Sequence, residues 1–114
     1  MYKHVAEAFV PVAHARCVAE KLCTKCCGHC LSIDVAGSDK LLTFEDARAI
    51  LRPADTGLQM RVEGQDLVMF CGVRMLLQGQ LAAVATVQAK EVEWQPAGHV
   101  PFRVFGTSAR DLGQ

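Results

Sequence analysis

The alternation of apolar and polar positions begins at once. From His4 to Val10, Val, Ala and Phe mix with single polar residues over strand length, and Pro11 then removes the backbone donor that further pairing needs, so a first strand is predicted there. From Val12 to about Cys27 the chain runs through Ala, Arg, Glu, Lys and Leu without a breaker. Gly28 follows where helices commonly turn left-handed and stop, which predicts a first helix. "LSIDVAG" sets Leu31, Ile33 and Val35 against Ser32 and Asp34, the period of a second strand, with Gly37 and Asp39 supplying a turn. A third run, Leu42 to Arg52, meets a fourth, Leu58 to Glu63, across "PADTG", the residue types that tight connections select. On these arms Ala47, Ala49 and Leu51 oppose Arg48, Ile50 and Arg52, and Leu58, Met60 and Val62 oppose Gln59, Arg61 and Glu63. Asp66 is placed to cap a second helix reaching about Ala85, with Met69, Phe70, Val73, Leu76, Leu77, Leu81 and Val84 on one side. "KEVEWQP" alternates Val92 and Trp94 with Glu91 and Glu93 and stops at Pro96, a last strand in which Trp94 reads as structural.

The order is therefore β-α-β-β-β-α-β. It predicts an α+β two-layer sandwich, a mostly antiparallel sheet with both helices on one face. Residues 1–97 make one domain, and 98–114 read as a C-terminal extension without clear periodicity. A chain of 114 residues is the usual size of one domain and buries roughly two thirds of its unfolded surface. Lys plus Arg equals Asp plus Glu at 12 each, so no strong field draws nucleic acid or an anionic membrane, and neither is an expected partner. The start lacks a signal-peptide core and no run approaches twenty apolar residues, which places the protein in the cytoplasm. In a reducing compartment the six cysteines are not a disulfide framework.

The chemistry in question lies in "KLCTKCCGHC", where Cys23, Cys26, Cys27 and Cys30 fall within eight positions beside His29. Two tandem C-x-x-C pairs suit zinc or copper(I), although adjacent Cys26 and Cys27 make a four-sulfur site hard to close, and a two-sulfur copper(I) site is easier. Helical geometry offers the other reading. Ala15, Ala19, Leu22, Cys26 and Cys30 share one stripe with Cys23 at its margin, which makes the sulfurs core filler. Their place toward the helix C-terminus disfavours a reactive thiolate. Cys17 and Cys71 are expected on outer faces.

The face of the sheet away from the helices is expected to carry Arg48, Arg52 and Arg61, which could grip an anion bidentately or pair across strands with Glu63, Glu91 and Glu93 on a solvated surface. Phe9 and Ile50 project there too and invite a protein partner or a second copy of the chain. On the second helix Val68, Cys71 and Met75 fall on the wet side, while Gly72 and Gly79 are expected to pack against the first helix. His4, His14, His29 and His99 are scattered, Ser32, Ser38 and Ser108 lack a nucleophile-elbow context, and no phosphate-binding glycine pattern is present.

Arg16 to Leu22-Cys23, then Asp55, Gly57-Leu58, Arg61, Glu63 and Asp66, Leu81, and Trp94-Gln95-Pro96 together resemble the bacterial family of domain of unknown function 2218, over about residues 5–97. Members look His-rich just after the Leu-Cys pair, where this chain has Lys25, two cysteines and His29, and a His is common where Gln80 stands. The resemblance implies no established activity, but such domains look like frequent companions of siderophore-handling proteins, a hint about iron. The expectation is a binding or interaction module, not an enzyme, without a cofactor. The alternative is a zinc or copper(I) protein using Cys23, Cys26, Cys27, Cys30 and His29.

Overall fold

The computed structural model describes residues 2–85 and 92–97. Among them, β1 (His4–Val10) leads to α1 (Ala15–Cys26), then to β2 (Ser32–Ala36), β3 (Asp39–Phe44), β4 (Ala47–Ala54) and β5 (Gly57–Gly64). Then come α2 (Leu67–Ala85) and β6 (Gln95–Pro96). The strands form one antiparallel sheet in the order β2-β3-β4-β5-β1-β6. The α+β two-layer architecture is as expected, with one strand more.

That strand comes from a missed turn. The run Leu42 to Arg52 is not one strand, because Glu45 and Asp46 reverse the chain so that Phe44 pairs with Ala47. Asp46 takes φ 60°, a left-handed conformation that Asp tolerates better than most residues. The hairpin across residues 53–57 forms where expected, but tighter, with Pro53 opposite Leu58 and Ala54 opposite Gly57. Pairing with β3 ends at Leu51, so the donor that Pro53 lacks is not needed on that side. Gly57 is required by a close approach: a Cβ there would collide with the Val10 carbonyl oxygen and lie 2.7 Å from Phe9 Cζ.

Both helices cover the face that presents Leu42, Ala49, Leu51, Leu58, Met60 and Val62. From α1 come Val18, Ala19, Leu22, Cys23 and Cys26; from α2 come Phe70, Val73, Leu77 and Leu81. Fully burying a side chain of this size contributes about 1.5–3 kcal/mol, which makes this layer the principal source of stability. The Asp66 cap is formed, its carboxylate accepting the Met69 N–H at 3.1 Å.

Other boundaries differ from expectation. The first helix starts at Ala15, not Val12, because His14 is left-handed at φ 56°. It ends at Cys26 through a right-handed Cys27, and Gly28 is not in the left-handed conformation expected of it. In the last strand only Gln95 and Pro96 pair with β1; Val92 and Trp94 pack without pairing. Lys90, Glu91, His99, Ser108 and the extension 98–114 lie outside the described residues.

Helix α2 corrects two further expectations. Nothing lies within 4 Å of a Cβ placed on Gly72 or Gly79, so these glycines do not pack against α1; they face outward near the exposed Val68 and Met75. By length and composition α2 is also apolar enough to cross a membrane, contrary to the reading that no run comes close. Its 19 residues hold one charge, Arg74, and the glycines and glutamines hide the run from simple counting. Here its Phe70, Val73, Leu77 and Leu81 row packs on the sheet, while Leu67, Val68 and Met75 are left exposed.

Candidate functional site

The cysteine segment divides. Cys26 is fully buried and Cys23 nearly so, while Cys27 and His29 are exposed and Cys30 is half-buried, packed against the core from the loop after the helix has ended. Cys30 therefore does not share a helical stripe with Cys26. The turn is held by the His29 N–H donating to the Cys26 carbonyl at 2.9 Å. Burial, then the proximity of Cys23, Cys30 and Cys27, pushes the Cys26 thiol up to about 11; burial likewise raises Cys23 and Cys30. Neutral thiols are poor nucleophiles and must lose a proton to bind metal. Among the described residues no three His, Cys, Asp or Glu side chains are grouped to hold a metal ion. Cys17 is exposed, as expected, whereas Cys71 is half-buried and accepts from Arg74 Nη2 at 3.5 Å.

On the other side of the sheet the register brings the arginines and carboxylates together. Glu7 stands opposite Arg61, and Arg48 opposite Glu63. Arg61 donates from Nη1 to Glu7 Oε2 at 2.5 Å and from Nε to Glu63 Oε2 at 2.6 Å, while Arg48 Nε donates to the other Glu63 oxygen. Burial alone would raise the Glu63 pKa, but the hydrogen bonds from Arg61 and Arg48 outweigh it and hold the carboxyl below the ordinary value. Tyr2 lies over Arg48, with 5.3 Å between the guanidinium carbon and the ring centre. Arg52 grips Asp39 with two hydrogen bonds, at 2.9 and 2.8 Å, and its pKa is raised chiefly by them. This is cross-strand pairing, solvated at Arg48 and Arg52 as expected but closed off from water at its centre. Arg61 has no exposure at all and Glu63 only 4 %. Glu93 is exposed, and Phe9 and Ile50 are half-buried on the same side. Arg48 and Arg61 balance Glu7 and Glu63, and Arg52 balances Asp39, so the cluster presents little net charge to an outside anion.

A third place was not foreseen. A cleft of about 420 Å³ opens between the start of β1, α2 and the segment around β6. Phe70 and Trp94 supply the aromatic walls, Tyr2 lies at the edge with its ring against Arg48, and Lys3, His4 and Arg74 supply polar groups. Phe70 organises the floor: the His4 ring lies 5.5 Å from it, and the Arg74 guanidinium carbon 4.8 Å above it. Trp94 is held by its Nε1 donating to Gln78 at 3.0 Å. No local motif announces this place, because its lining comes from three distant stretches; only a helix arginine without a nearby acid, and a lone tryptophan, marked it.

A search of solved structures finds the NMR structure of PA4090 from Pseudomonas aeruginosa. It is similar over 82% of this chain and 97% of that one, with a TM-score of 0.68 at 19% identity. At that identity the likeness shows the fold alone. No family model matches the chain, and no curated protein matches it. The family resemblance therefore rests on the residues quoted for it.

Proposed function

We propose that the protein is a small binding module and that the cleft between β1, α2 and β6 is where it binds a small molecule. The observation that carries this is the cleft itself: about 420 Å³, lined by Phe70 and Trp94, with Arg74 held over the Phe70 ring and Lys3 and His4 beside it. Small-molecule sites commonly combine that size with apolar walls and a few placed polar groups. The ion cluster on the sheet is less suited to take a ligand, since its arginines already hold carboxylates. A thiol-metal role would begin from Cys23, Cys26 and Cys30, where burial raises the pKa and so opposes the thiolate that a metal needs.

Protein-observed NMR with a chemically mixed fragment library tests the proposal. Hits are expected to shift the amides of His4, Ala6, Phe70, Arg74 and Trp94 together. Hits that gather on the sheet face of Arg48 and Ile50, or an absence of hits at the cleft, would overturn it.

A further inference from the structure

We infer that the cleft takes a planar aromatic carboxylate and that Arg74 reads its charge, an inference that rests on the cleft being the binding site. Arg48, Arg52 and Arg61 each hold a carboxylate of this chain. Among the described residues Arg74 has no such partner: Nη2 reaches only the Cys71 sulfur at 3.5 Å, a weak acceptor, and Nε is shielded from water with no hydrogen-bond partner. A guanidinium held over a ring, with only a sulfur as acceptor at its Nη2 end, offers that end, not the shielded Nε, to an acid supplied from outside.

The rest of the lining selects the remainder of the ligand. No Asp or Glu is found among the described lining residues, while Lys3 stands exposed at the rim, so the local field favours an anion. Phe70 and Trp94 favour a flat apolar body over a hydrated one. A guanidinium end meets carboxylate and phosphate alike, two N–H groups to two oxygens, but its single charge matches a carboxylate and leaves a phosphate dianion half neutralised. Carboxylate and ring on one rigid plane meet both demands.

Trp94 is the only tryptophan, so its fluorescence reports the cleft directly. Titration of the whole chain with benzoate is expected to change that signal saturably, and the isosteric neutral benzamide to bind roughly tenfold more weakly or worse. In Arg74→Met, shown folded by circular dichroism, the benzoate preference is expected to vanish, and in Arg74→Lys to survive in part. Equal binding of benzoate and benzamide, or a preference that persists in Arg74→Met, overturns the assignment. If benzoate fails while other library fragments still shift the cleft amides, the ligand class falls and the site stands; if nothing shifts them, both fall.

Discussion

Strand β5 has two faces that are equally dry and differently made. Toward the helices, Leu58, Met60 and Val62 are fully buried in the common core. Away from them, Gln59, Arg61 and Glu63 are buried as well, and Arg61 as completely as Met60 beside it. Its register neighbours are Glu7 on β1 and Ile50 on β4, so the arginine is enclosed by long side chains of its own sheet. Apolar burial stabilises in proportion to area and asks little of geometry. Ionic burial first costs the hydration of every charge and recovers it only if each hydrogen bond is made. The helix side therefore supplies stability, and the other side adds a condition: β1, β4 and β5 must stand in one register for Arg61 to find Glu7 and Glu63.

Substitutions at adjacent positions can break that contrast. Arg61→Met keeps most of the side-chain volume but takes a charged hydrogen-bond donor away from both Glu7 and Glu63, and it is expected to cost about 3–5 kcal/mol in urea unfolding. Met60→Ala removes packing from the other face and is expected to cost about 2–5 kcal/mol. If Arg61→Met is neutral instead, the cluster is a surface convenience and the two faces differ less than their burial suggests.

Acid separates the two costs where magnitude does not. The folded chain holds the Glu63 carboxyl below the ordinary Glu value of about 4.3, so the cluster stabilises in full above that pH and loses the contribution as pH falls through the lower, folded value. The stability gap between wild type and Arg61→Met is therefore expected to narrow from about pH 7 to about pH 3, whereas the gap to Met60→Ala stays level. Parallel urea titrations across that range check it, and two gaps that fall together would mean that Glu63 is not what Arg61 serves.

Much of the contrast was legible before any coordinates. Period two along residues 58–63 separated the faces, "PADTG" placed the hairpin, and Asp66 marked the start of α2. Turns without Gly or Pro were not legible: Glu45-Asp46 lies inside an eleven-residue run that reads as one strand, although that length exceeds most strands. Nor was the depth of Arg61, since alternation tells which side a residue faces but not whether its neighbours will close over it. The cysteine segment was half legible. Helical spacing found Cys26, but where the helix stopped decided that Cys27 would be exposed and Cys30 reach the core from a loop. The cleft joins residues 2–6, α2 and residues 94–97, which no local pattern connects.

The smallest expected effect is the sharpest control. Arg52 and Asp39 make a two-bond pair with better geometry than many buried ones, yet their side chains are 42% and 22% exposed, against 1% for Arg61. If burial sets the energy of these pairs, Arg52→Gln is expected to cost only about 0.2–1 kcal/mol, because water re-solvates the carboxylate left behind. Raising the salt to about 1 M should shrink even that, and leave the Arg61→Met penalty nearly unchanged, since screening ions reach the rim of the sheet but not its middle. An Arg52→Gln penalty as large as that of Arg61→Met would show that hydrogen-bond geometry, not exclusion of water, governs this face. The reason for treating the two sides of β5 as different materials would then be lost.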